Sequence, residues 1–188
     1  RVSFVGGGTD FESFFSDNPG GVISTSIDKY VYVTIKEKFD QGIKLSYSNN
    51  ENITKISQIK HKLIKKIFQK YSIKSGIELS SLADIHSKGT GLGSSSAFSL
   101  CTISSIRKYL GLKDLNKYNL AIEAYNIEKS INNSAMGVQD QFASSFGGLN
   151  YISFYKKKIL VKKIKLNRDE LSYIENNLFL VYTDTKRS

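Results

Sequence analysis

Between His86 and Leu100 the chain places glycines at 89, 91 and 93, follows them with Ser94, Ser95 and Ser96, and then turns apolar. Upstream, "GIELSSLADI" reads as a strand. Downstream, Ala97, Leu100, Cys101, Ser104 and Ile106 can share one helix up to Leu110, with Gly111 as its natural stop. A glycine-serine segment between a strand and a helix is a tight turn rather than a flexible linker. Glycines allow positive φ and close approach to a ligand, while the following helix offers unpaired N–H groups and the positive end of its dipole. The serines can cap that helix or place a hydroxyl on a phosphate or its Mg²⁺. Ser94 follows Gly93 where a Walker loop needs lysine, and it also occupies the third glycine of a dinucleotide fingerprint, so neither motif applies.

The flanking segments set the class. Gly21–Lys38 is β-branched and aromatic and reads as one strand or two with a bend; "GIKLSY" after Asp40-Gln41-Gly42 predicts a hairpin or meander with it. Apolar residues at 56, 59, 63, 64, 67 and 68 predict an amphipathic helix over about Thr54–Tyr71. Asp114 can cap a helix to about Ile131, and "VQDQFASSF" reads as a short helix after Gly137. "LNYISFY", "KKILVKKIKL" and "NLFLVYTDT" predict three strands, with "NRDELSYIENN" a polar turn or short helix before the last. Without a repeating βα unit, an α+β sandwich is favoured over a doubly wound sheet.

The formal charge of +10 would suit an anionic partner, but the lysines are interspersed with Ile and Asn as on solvated faces, and aromatics do not interleave with them as in a nucleic-acid stacking platform. Nucleic acid is therefore not expected. No run approaches the roughly 18 apolar residues of a membrane span, so a cytoplasmic protein without membrane contact is expected. Cys101, the one cysteine, reads as a small buried filler. His61 and His86 read as surface or loop residues.

Phosphoryl transfer to an alcohol needs charge neutralisation, a metal ligand and a carboxylate near the acceptor hydroxyl. Glu128 and Asp140 flank a turn that can fold them toward one site, although alone Glu128 reads as an exposed helix carboxylate and Asp140 as an N-terminal dipole residue. At the start, "RVSFVGGGTDFESFF" sets Gly6, Gly7 and Gly8 before Thr9 and Asp10, either of which can cap a helix beginning at Phe11. Alternatively, Asp10 meets substrate hydroxyls and Arg1 a phosphate.

Together, "KGTGLGSSSAFS", "RVSFVGGGTDF" and "GVQDQFASSFGGLNYI" resemble the GHMP kinases, a superfamily including galactokinases, homoserine kinases and mevalonate kinases. Within it they resemble the sugar-kinase branch and the D-glycero-D-manno-heptose 7-phosphate kinases. The resemblance runs from Arg1 to "YTDTKRS" and implies one N-terminal ATP-binding domain over 1–188, folded as a ribosomal-protein-like α/β sandwich with a mixed sheet. It assigns Lys88, Gly89, Thr90, Gly91, Leu92, Gly93, Ser94, Ser95 and Ser96 to ATP phosphates, and Ser95 or an adjacent serine with Glu128 to Mg²⁺. Asp140 becomes the catalytic base, Arg1 a contact of the transferred phosphate, and Gly8, Thr9 and Asp10, like the Gly-Glu-His-Thr-Asp of galactokinases, the sugar contacts.

The implied activity is ATP-dependent phosphorylation of the anomeric hydroxyl of a heptose 7-phosphate or related sugar for cell-surface polysaccharide precursors. A galactokinase- or fucokinase-like acceptor and a non-catalytic nucleotide- or RNA-binding module are the alternatives, and a homo-oligomer is compatible with either. Where many relatives carry proline before the loop, this chain has Ile85, His86 and Ser87. Family members also continue into a C-terminal half, so the sequence reads as an N-terminal fragment with little turnover of its own.

Overall fold

A computed structural model describes residues 1–85, 91–132, 136–179 and 181 of the protein. In chain order the elements are β1 (Val2–Gly6), α1 (Glu12–Phe15), β2 (Gly20–Thr25), β3 (Val31–Glu37), β4 (Ile43–Ser46) and β5 (Asn50–Ile53). A 3₁₀ turn at Ile56–Gln58 leads to α2 (Lys62–Lys70), β6 (Ile77–Ala83), α3 (Ser94–Tyr109) and α4 (Lys117–Asn132). The chain continues through α5 (Gln139–Phe146), β7 (Leu149–Tyr155), β8 (Lys158–Lys163) and α6 (Arg168–Asn177).

The strands form two four-stranded sheets. In the first, ordered β1-β2-β7-β8, every pairing is antiparallel, and the registers Val22↔Ile152 and Phe154↔Ile159 align buried side chains on one face. The second, β3-β6-β4-β5, is mixed: β4 runs parallel to β6, which sets buried Ile43 and Leu45 beside buried Ile77 and Leu79. Helices cover the buried faces, as an α+β sandwich requires. The strand expected over Gly21–Lys38 is thus two strands in different sheets. The hairpin expected between β3 and β4 does not form, because β6 inserts between them; β4 turns back on β5 instead.

Side-chain periodicity decides α2, where Leu63, Ile64, Ile67 and Phe68 are buried and Lys62, Lys66 and Lys70 face out. Burying each large apolar side chain contributes roughly 2 kcal/mol. The helix begins well after the expected Thr54, because Glu51 accepts the N–H groups of Lys60 and His61 and holds that segment extended. α4 likewise starts at Lys117, its first turn capped by Asn116 rather than Asp114. The polar segment at 167–177 is a helix with an Asn167–Glu170 capping box. The strand expected in "NLFLVYTDT" lies largely outside the described residues, of which Leu178 is extended. Among the described residues no helix is long and apolar enough to cross a membrane.

Two apolar cores result. The second sheet packs with α2, α3 and part of α4 around Phe68, Ile103 and Ile127; the first packs with α5 and the other side of α4 around Phe142, Ile152 and Phe154. α4 is the shared wall: Ala124 and Ile127 belong to one core, Ala121 and Tyr125 to the other. Buried Ser96, Glu128 and Gln141 meet along this seam.

Candidate active site

α3 begins at Ser94, one residue earlier than a serine cap would allow. Its N-cap is Gly93, left-handed at φ +75°, with no side chain capping the first turn. The N–H groups at the start of α3 therefore lack the intrahelical acceptor that later ones have, and they face a loop able to approach a ligand. Of the residues assigned to phosphate, Gly91, Leu92 and Gly93 form the described part of that loop, whereas Lys88, Gly89 and Thr90, like His86, lie outside the described residues. The serines diverge: Ser95 is exposed, Ser94 half-buried and Ser96 buried.

Ser96 turns inward to a polar knot. Its hydroxyl donates to Glu128 Oε2 at 3.3 Å and accepts from Gln141 Nε2 at 3.0 Å. Glu128 is only 5% exposed, contrary to its reading as a surface carboxylate, because it continues the Ala121, Ala124, Tyr125 stripe of α4 between the two cores. Burial pushes its carboxyl above the ordinary range, and hydrogen bonds from neighbouring side chains only partly offset this. Glu128 Oε1 and Gln141 Oε1 have no hydrogen-bond partner among the described residues.

Asp140 stands in the first turn of α5 and is ion-paired with Arg1 through Nε. The backbone nitrogen of Arg1 donates to Leu92 O at 2.6 Å, and a Cβ placed on Gly93 would lie 3.2 Å from Arg1 Cγ and 3.8 Å from Asp140 Cγ. The start of β1, the glycine loop and the start of α5 thus meet at one point. Arg1 also donates to Ser3, whose hydroxyl donates to Gln139 Oε1 at 3.0 Å.

Asp10 is 1% exposed; its backbone carbonyl accepts from Val138 N and its Oδ2 from Gln139 N at 3.2 Å, leaving Oδ1 unpartnered among the described residues. It fastens the entry to α5 and does not cap α1, whose N-cap Phe11 makes no side-chain bond. Thr9 does not cap it either, since its hydroxyl both donates to and accepts from the Gly21 backbone. Gly8 leaves open space beside its backbone, at φ +73°.

An uncapped helix start beside an Arg–Asp pair, with a buried glutamate in the next layer, has the parts of a phosphoryl-transfer site. Residues 58–148 match the GHMP kinases N terminal domain. The fold is that of the GHMP kinase N-terminal domain. It is 28% identical over 203 residues to the D-glycero-alpha-D-manno-heptose 7-phosphate kinase of Campylobacter jejuni subsp. jejuni serotype O:2, covering 100% of this chain and 58% of that relative. The crystal structure of a D-glycero-D-manno-heptose 1-phosphate kinase from Bacteriodes thetaiotaomicron superposes with TM-score 0.77 at 25% identity, over 89% of this chain and 58% of that one. Lactococcus lactis galactokinase shares the fold alone, with TM-score 0.64 at 19% identity over 88% of this chain and 46% of that one. The chain spans about half the length of these proteins.

Two cavities open beside Ser95 at the loop-to-helix junction. One of about 630 Å³ is lined by Tyr47, His61, Ser94, Ser95 and Phe98. The other, about 290 Å³, joins His61, Lys62 and Ser95 to Glu128. His61 lies at the end of the loop before α2 but is half-buried rather than on the surface: it accepts from Ile64 N through Nδ1 and caps α2. Cys101 is half-buried rather than a core filler and lines a third cavity, of about 510 Å³, that also reaches Arg1, Leu92 and Ser94.

Sequence reasoning missed Gln141 and Ser3. Gln141 was detectable, since a residue one step past Asp140 on a helix turns about 100° away, here toward the buried side of Phe142 and Ala143. Among the described residues no three His, Cys, Asp or Glu side chains gather around one metal position. One buried carboxylate oxygen without a partner, beside the Ser96 hydroxyl, is a donor set that fits a Mg²⁺ carried mostly on phosphates and water.

Glu128 gives a prediction that needs no ligand. Because the folded state raises its pKa above 4.5, stability is retained at low pH and lost as pH rises through the raised value. Glu128→Gln is expected to raise the Tm of the cation-free chain near pH 7, with the gain disappearing toward pH 4, where Glu128 is protonated. Thermal melts across that range check it; a loss of Tm at pH 7 would contradict the buried-charge account.

Proposed function

We propose that this domain holds ATP by its phosphates on residues 91–96, with the base in the 630 Å³ cavity. In the protein that contains it, we propose, the γ-phosphoryl group passes to the anomeric hydroxyl of a heptose phosphate or a related sugar. The observation that carries this reading is the convergence of Arg1, Asp140 and Gly93 at the uncapped start of α3. Similarity to the two heptose phosphate kinases supports the acceptor class.

In the proposed reaction Asp140 orients the sugar hydroxyl and takes its proton as the sugar oxygen bonds to the γ-phosphorus. The bond from that phosphorus to the β-γ bridging oxygen breaks, and ADP leaves. Arg1, already bridging Asp140 and the loop, steadies the moving phosphoryl group. Asp10 and Gly8 border the acceptor, with Asp10 Oδ1 the available oxygen. Glu128 with Ser95 or Ser96 would hold Mg²⁺, which supplies neutralisation of phosphate charge. We propose a cytoplasmic reaction whose product feeds surface-polysaccharide precursors.

The test is an ADP-release assay on the protein that contains this chain, against a panel of sugars and sugar 7-phosphates. Release dependent on a heptose phosphate with a free anomeric hydroxyl is expected. Release with galactose or fucose alone would move the acceptor, and none with any sugar would overturn the kinase reading.

A further inference from the structure

His61 is held more firmly than a helix cap requires. Glu51, buried and kept below the usual carboxylate range by backbone N–H groups and the Tyr47 hydroxyl despite its burial, accepts from the N–H groups of Lys60 and His61 at 2.8 and 3.3 Å. Tyr47 donates to the same carboxylate at 2.7 Å, and its own pKa, pushed up to about 12 by burial and by Glu51, keeps it a donor. The Tyr47 ring meets the imidazole edge-on with centroids 4.7 Å apart, and Phe98 lies against it at 5.5 Å. With Nδ1 accepting from the first turn of α2, the ring carries its hydrogen on Nε2. Among the described residues Nε2 has no acceptor, and the imidazole lines both cavities that open on Ser95.

We infer that His61 is a specificity-determining residue for the nucleotide, offering Nε2–H from a fixed aromatic frame to a ring acceptor of the base. The inference rests on the proposed placement of ATP. A fixed donor discriminates more sharply than an apolar wall, because a partner lacking the acceptor leaves it unpaired. Tyr47 and Phe98 supply the apolar contact, and Glu51 ties Tyr47 to the segment that carries His61.

The experiment is equilibrium binding of ATP and of inorganic tripolyphosphate to this chain and to His61→Ser and His61→Gln. Serine retains a capping oxygen but no donor of that reach; glutamine restores an N–H. ATP affinity is expected to fall about tenfold in His61→Ser and to recover in large part in His61→Gln, with tripolyphosphate affinity and Tm unchanged. Unchanged ATP affinity in His61→Ser, equal losses for both ligands, or no recovery in His61→Gln would each overturn the inference. If the unsubstituted chain binds neither ligand, the phosphate-loop reading itself fails and this inference with it.

Discussion

Asp140→Asn, made in the protein that contains this chain, is expected to lower kcat by about a thousandfold while leaving ATP affinity within about twofold. Asparagine matches aspartate in shape and keeps an oxygen toward Arg1 at the start of α5, so the fold and the loop it faces are preserved. What disappears is the ability to accept a proton, and general-base work is worth about 10²- to 10⁴-fold. Positioning and charge neutralisation persist through Arg1 and the free N–H groups of α3, which is why the loss stops short of the full catalytic effect. Steady-state kinetics with a separate nucleotide titration measure the two quantities. An unchanged kcat would remove Asp140 from the chemistry, and a parallel collapse of ATP binding would make it structural.

The second large effect is expected at Gly137. A Cβ there would sit 1.9 Å from Asp10 Oδ2 and 2.7 Å from its Cγ. Neither side can yield cheaply: Asp10 is buried and bonded to the backbone nitrogens of Val138 and Gln139, and Gly137 bridges Phe11. Gly137→Ala is therefore expected to cost about 1–3 kcal/mol, as overpacking does, and to lower Tm by about 2–12 °C. The same displacement moves Asp140, three residues on, so activity should fall even at temperatures where the variant is folded. A Tm within a degree of the parent would show that Asp10 does not clamp this turn.

These two sites differ in how far the sequence discloses them. The strand ending at Ala83 and the helix from Ser94 were legible because alternating glycines followed by an apolar helical stripe admit few local structures. The start of α2 was not, since Ile56 and Ile59 fit the helical period and only Glu51, brought back by the β4–β5 hairpin, holds the chain extended before His61. The order β3-β6-β4 was equally hidden, because the inserted strand lies some thirty residues later in the chain. The meeting of Arg1 with Asp140 depends on assembly of the first sheet against α5, which no local window contains. Glu128 lay between these cases: its place on the stripe of Ala121, Ala124 and Tyr125 signalled burial, but the cores on either side had to form before that stripe became a seam.

Ala121 and Ala124 are both fully buried where α4 divides the two cores. Their methyl groups act as spacers that set the gauge of the whole junction: a longer side chain at either position would wedge the helices apart. Glu128 would then lose part of its burial, and the tuning that burial imposes would weaken without any polar residue having changed. The chemistry of this site is thus calibrated by two of the smallest and least reactive side chains in the molecule.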